Sequence, residues 1–464
     1  MTRSTSLTIT LRGLLCLSVI LLPGCAGLYK LENQPIEEVD PGSGYRFYSD
    51  ERPTPGSHMV ALAFSGGGTR AAALSYGVMQ ELRDTYIETP TGQGRLLDEV
   101  DTISGVSGGS FTAAYYGLFG DRLFEDYEEV FLRRSVQGAL LRRLLSPGHW
   151  ARSLFSGFDR TEMAVDFYDR TVFQGKTFAD LSLSGGPFIE INATELRSGR
   201  RFSFTQSMFD EVCSTLDDFS IARAVTASSA VPVLFPSIVL ENHGPDCLPP
   251  DHPGETHSAL AKRAEFHTNE LPVPFLHLVD GGVSDNLGLR AIIDRIETAG
   301  GIVPSLDYVG APQKDVLVIL VNAAVTGDRI IGNSPRKPGA SATLNAVTDL
   351  QIRQHSEETR RLVQQQLEAY QATLADQGTA MRFHFVEISF EAVRQRHLRD
   401  YFNRLPTSLA LSNEQIDALI AAGRSLLRDH PEYQAFLEAN NGILKERHTA
   451  DTCNPLRNPA CLLR

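Results

Sequence analysis

Three short motifs stand in fixed order along this chain of 464 residues, and their residue types suit one kind of chemistry. Gly66-Gly67-Gly68-Thr69-Arg70 comes first, Gly105-Val106-Ser107-Gly108-Gly109 second, and Asp280-Gly281-Gly282 third. Acyl transfer by a serine needs a hydroxyl held clear of its strand, a base to take its proton, and backbone amides aimed at the developing oxyanion. The middle motif has the G-x-S-x-G form of a nucleophile elbow around Ser107. Three consecutive glycines let the backbone approach a ligand closely and turn its N–H groups toward an anion. Asp280, leaving a strand at a tight glycine turn, can accept a proton, although capping the turn is the commoner use of such a pair.

These groups need elements to position them. Residues 58–64 (HMVALAF) form a continuous apolar run that predicts a buried strand, and 71–82 predict a helix after the glycines. Residues 100–103 predict a second strand and 110–117 a second helix. Ser107 would then lie at a helix N-terminus, where free amides and the dipole favour negative charge. Residues 276–279 predict a strand that delivers Asp280. A phosphate cradle is the competing use of such glycines, but neither the Walker A pattern nor G-x-G-x-x-G occurs. The alternation of strands and helices predicts an α/β architecture, with a mostly parallel central sheet and helices on both faces.

With these motifs in this order the chain resembles the patatin-like phospholipase family, whose pattern is G-G-G-x-R/K, G-x-S-x-G and D-G-G/A. Ala227-Ser228-Ser229-Ala230-Val231-Pro232, with Phe235-Pro236 after it, is similar to the family's A-S-x-A-x-P segment. The likeness covers about residues 58–325. It implies a three-layer patatin-like sandwich. It makes Ser107 the nucleophile and Asp280 its partner in a Ser–Asp dyad. The amides of Gly66, Gly67 and Gly68 become the oxyanion hole, with Arg70 supporting that loop. It also implies an acyl-ester substrate, a phospholipid above all; a lysophospholipase, a neutral-lipid esterase or a transacylase would carry the same motifs. The scheme calls for no cofactor and no metal.

In such a dyad Asp280 itself takes the proton from Ser107. A carboxylate at its ordinary pKa of about 4 is a poor base for a hydroxyl, so partial burial is expected to raise it. A Ser-His-Asp triad is the alternative. Chain order would draw its histidine from His355, His384 and His397, none of which sits in a glycine-rich turn. A second alternative is a non-enzymatic envelope scaffold that keeps the fold.

The N-terminus bears on location. Arg3 and Arg12 precede an apolar stretch, 13–22, that is too short to span a bilayer. Leu22-Pro23-Gly24-Cys25 resembles the bacterial lipobox. The expectation is a signal peptide over 1–24, acylation of Cys25, a lipidated tether over 25–57, the catalytic domain over 58–325 and a mainly helical extension over 326–464. Ala26 after the cysteine points to the outer membrane of the cell envelope, with the membrane as partner through the lipid anchor. After Cys16 and Cys25, four cysteines remain, and nearness in sequence pairs Cys213 with Cys247 and Cys453 with Cys461 as disulfide candidates. His243, His252, His257 and His267 lie near Cys247 without the tight spacing of a zinc site.

The formal net charge is −13, and −15 once the two arginines of 1–24 leave, which excludes nucleic acid as the natural partner. One stretch runs against that trend: 131–160 places Arg133, Arg134, Arg142, Arg143, Arg152 and Arg160 among leucines. It could pack as a helical cap or lie on anionic lipid. Farther on, 315–322 and 381–390 predict strands, and 341–376 and 413–428 predict helices.

Overall fold

The computed structural model describes residues 31–48, 58–135, 138, 160–232, 235–244, 247, 273–302, 304–305, 315–325, 335, 337–376, 378 and 382–445. Its centre is an eight-stranded sheet: β1 (Met59–Phe64), β2 (Val100–Val106), β3 (Phe188–Glu195), β4 (Arg201–Ser203), β5 (Ile238–Glu241), β6 (Phe275–Asp280), β7 (Asp315–Asn322) and β8 (Arg382–Ser389). The spatial order is β8-β7-β1-β2-β3-β6-β5, with β4 paired to β3. The first five run parallel, whereas β6, β5 and β4 pair antiparallel. The predicted mostly parallel sheet is present, with an antiparallel wing at one side.

Helices cover both faces. Those that frame the site and the core are α1 (Thr69–Arg83), α2 (Gly108–Phe119), α3 (Ile221–Ser228), α4 (Leu289–Thr298), α5 (Ala340–Asp376) and α6 (Asn413–Arg428). Alternation along β1 divides the core. Val60, Leu62 and Phe64 face α1, α2 and α6. Met59, Ala61 and Ala63 face Leu289, Ile292 and Ile296 of α4 and Val363, Tyr370 and Leu374 of α5. A strand buried on both sides is favoured when apolar, which is why β1 and residues 316–321 of β7 read as hydrophobic runs. Each large side chain so buried contributes on the order of 2 kcal/mol.

α1 and α6 meet backbone to backbone. A Cβ added to Gly77 would overlap the Ile420 carbonyl oxygen, and one added to Gly423 would overlap that of Leu74. The C-terminal region is therefore part of the core. It also supplies β8, so it is not helical alone.

Residues 31–48, expected as tether, are packed against the domain. Gln34–Pro35 pairs with Ser214–Thr215. The Arg223 guanidinium binds Glu32 and Glu162. Tyr45 is buried, stacks on Phe188 at 4.7 Å and accepts the Ile189 N–H at 2.6 Å. Composition missed this because the anchoring side chains are few among many prolines, glycines and acids. A disulfide joins Cys213 and Cys247, and the Val39 N–H donates to the Cys247 carbonyl at 3.1 Å. Among the described residues no helix is long and apolar enough to cross a membrane. Cys25, Cys453, Cys461 and nearly all of the basic stretch 131–160 lie outside the described residues; of that stretch, Arg133 pairs with Glu128 and Asp417.

Candidate active site

Ser107 sits where β2 turns into α2, with φ +49° and ψ −121°. A non-glycine residue there stores strain of about 1–3 kcal/mol. The corner closes only because its flanks lack side chains: a Cβ on Gly105 would lie 2.7 Å from the Ser110 Cα, and one on Gly109 2.6 Å from the Phe64 carbonyl oxygen. Hydrogen bonds hold the strained residue. Its N–H donates to the Ser228 hydroxyl at 2.8 Å, and that hydroxyl donates to the Asn192 carbonyl at 2.6 Å. Its carbonyl accepts from the Ser110 amide and hydroxyl, at 3.0 and 2.6 Å.

Asp280 arrives by an unexpected path. It ends β6, which runs antiparallel to β3, so β3 stands between it and the Ser107 strand. Register makes the meeting possible: Val106 pairs with Asn192, and Asp280 pairs with the next residue, Ala193. The Ser107 hydroxyl donates to Asp280 Oδ2 at 2.9 Å, and the Gly282 N–H donates to Oδ1 at 2.8 Å. Burial pushes the Asp280 carboxyl up to about 6, and those two hydrogen bonds hold it back from rising further. Asp280 and Ser107 are only 9% and 6% exposed. The main chain around Asp280 is fixed by α3 and its exit, since the Asp280 N–H donates to the Ala230 carbonyl and the Gly281 N–H to that of Ser228.

The glycine loop lies beside this pair. Gly67 has φ +143° and Gly68 φ +61°, conformations that strain any side chain. A Cβ on Gly108 would overlap the Gly68 carbonyl oxygen, so loop and elbow fit only as bare backbone. Of the three glycine amides expected as oxyanion donors, that of Gly66 is already used: its N–H donates to the Asn286 carbonyl at 2.9 Å. Among the described residues the Gly67 and Gly68 amides donate to no protein acceptor. Arg70 supports the loop from beneath. Its guanidinium donates to the carbonyls of Ala323 and Leu405, at 2.9 and 2.7 Å, and to the Thr407 hydroxyl at 3.0 Å. Burial lowers the pKa of Arg70 to about 10 and leaves it a cation.

Other candidates lie elsewhere. His384 Nδ1 stands 2.8 Å from Glu432 Oε1, and neither His355 nor His397 is bonded to Ser107 or Asp280. Cys247 is held in its disulfide, away from thiolate chemistry. Sequence reasoning assigned no role to Ser228, Asn286 or the 405–408 segment. The first lies in the A-S-x-A-x-P segment and the second four residues beyond the Asp-Gly-Gly turn. Nothing in the local sequence marked the third.

The family model of the patatin-like phospholipases matches residues 62–293. Among solved structures the chain is similar to human GIVD cytosolic phospholipase A2, at 14% identity over 58% of this chain and 46% of that chain, with a TM-score of 0.31. To the same human enzyme in complex with methyl gamma-linolenyl fluorophosphonate the values are 11% identity, 84% of this chain, 59% of that chain and a TM-score of 0.37. The chain spans about half the length of these structures. No curated protein matches it.

Proposed function

We propose, from the premise that this chain belongs to the patatin-like phospholipase family, that it hydrolyses ester-linked acyl chains of phospholipids through a Ser107–Asp280 dyad. The carrying observation is the 2.9 Å hydrogen bond from the Ser107 hydroxyl to Asp280 Oδ2 inside a strained elbow. Asp280 takes the hydroxyl proton as Ser107 Oγ adds to the ester carbonyl carbon. The Gly67 and Gly68 amides and the α2 N-terminus stabilise the oxyanion. Collapse of the tetrahedral intermediate expels the alcohol, which takes the proton from Asp280, and leaves an acyl-Ser107 ester. Water, deprotonated by Asp280, then releases the fatty acid.

The same reading takes residues 58–325 as the catalytic unit, completed by the C-terminal strand and the 405–408 support. It takes Cys25 as the acylated residue of an envelope lipoprotein at the outer membrane, supported by Leu22-Pro23-Gly24-Cys25.

The test is an assay of protein lacking residues 1–24, without calcium, on phospholipid vesicles and p-nitrophenyl esters, with fluorophosphonate labelling alongside. Wild type should release fatty acid and be labelled. Ser107→Ala should lose both, and Asp280→Asn should lose at least about a thousandfold in kcat. Turnover that survives Asp280→Asn would place the base elsewhere. A wild type that neither turns over nor labels would favour a scaffold.

A further inference from the structure

We propose that the side-chain amide of Asn286 is a further catalytic group, a third donor to the oxyanion in place of the Gly66 amide. This rests on the acyl-transfer reading above. The Asn286 carbonyl takes the Gly66 N–H, which fixes the glycine loop but leaves it only two amides to offer. The Asn286 side chain occupies the space this creates. A Cβ placed on Gly66 would overlap its Oδ1 and lie 3.5 Å from the Ser107 Cβ. A Cβ placed on Gly282 would lie 2.9 Å from the same Oδ1 and 3.0 Å from Asp280 Oδ1. The carboxamide thus borders the nucleophile, the oxyanion loop and the base together.

Two further observations favour a ligand-facing role. Asn286 is 9% exposed, yet among the described residues its carboxamide has no hydrogen-bond partner. Its amide atoms are not sealed from solvent, so the unused donor can meet a molecule that enters the site. A half-turn about Cβ–Cγ exchanges the carboxamide oxygen and nitrogen. The structure puts Oδ1 on the Gly66 and Gly282 side, so the proposed role takes the half-turned amide, which sets an N–H rather than an oxygen near the Asp280 carboxylate. As Ser107 Oγ bonds to the carbonyl carbon, the carbonyl π pair moves onto its oxygen and the hydroxyl proton goes to Asp280. Asn286 Nδ2 then donates to that oxygen beside the glycine amides and gives up no proton.

The main chain separates this role from a structural one. Asn286→Ala and the near-isosteric Asn286→Leu keep the backbone carbonyl that holds Gly66 and remove only the side-chain donor. Pre-steady-state and steady-state kinetics on a p-nitrophenyl ester would be measured for both, with thermal melting. The expected result is a fall in kcat of about 10²-fold or more in both variants, with KM and the acid limb of the pH profile unchanged. A kcat within about threefold of wild type in either variant would overturn the proposal. So would a loss that follows a lowered melting midpoint or appears in KM. Wild type that forms no acyl-enzyme and takes no fluorophosphonate would instead defeat the reading of the whole site.

Discussion

On the dyad proposed above Asp280 is the base, and the burial that fits it for that role also costs stability. Its pKa of about 6 means that activity depends on the ionised form near neutrality. The expected profile of kcat/KM falls about tenfold per pH unit below that value and levels off above it. Stability moves the other way. Between its ordinary value near 4 and about 6, the folded protein holds a proton that the unfolded chain releases. The group therefore favours folding in acid, and that advantage is lost as pH rises through about 6, by about 3 kcal/mol in all. Asp280→Asn should lose at least about a thousandfold in kcat yet raise the melting midpoint at pH 7 and leave it nearly unchanged at pH 4. Thermal melting at the two pH values checks this, and a lower midpoint at pH 7 would contradict it. Ser107 and Asp280 were legible because bare backbone must surround them, and glycines are visible in a sequence. Ser228 and Asn286 were not, because their contacts join segments far apart in the chain.

Elements place these residues through contacts as tight as those of the site. α1 begins at the glycine loop and lies against α6 with backbones touching at Gly77 and Gly423. Gly77→Ala should therefore cost about 1–3 kcal/mol, since the Ile420 carbonyl is backbone and cannot step aside cheaply. Denaturant melting would show it, and an unchanged midpoint would mean that the helices separate freely. Most elements of the parallel sheet were readable as apolar runs. β3 was missed because Phe188–Glu195 mixes Glu190 and Asn192 with apolar residues while every position is buried. Those polar groups are matched from outside the strand, Glu190 by Arg201 and Arg295, and Asn192 by Ser104 and Ser203. The antiparallel course of β6 was equally hidden, because a strand's direction leaves no mark in its own residues.

The whole molecule is less modular than its motifs suggest. The family match ends at residue 293, yet the described core extends through β7, β8 and α6. A chain cut after residue 325 loses β8 from the edge of β7, α6 from α1, and the Leu405 and Thr407 acceptors of Arg70. It should be insoluble or molten when expressed; a soluble, cooperatively melting fragment would refute this. The sequence placed the C-terminal region on the core but gave it no part in supporting the site. Its contribution, the 405–408 segment beneath Arg70, carries no glycine motif and no charge pattern, only carbonyls and one hydroxyl in the right place.

The packed N-terminal segment changes what a lipid anchor would mean. Had residues 26–57 been slack, a body attached at Cys25 could have ranged about 100 Å from the bilayer. Side-chain bonds already hold Glu32 and Asn33 to the body. Only seven peptide steps separate Cys25 from Glu32, so the two Cα atoms lie at most about 25 Å apart. On the lipid anchor proposed above, the point at which the chain joins the body would stay within about 25 Å of the anchored cysteine, a tight tether rather than a long one.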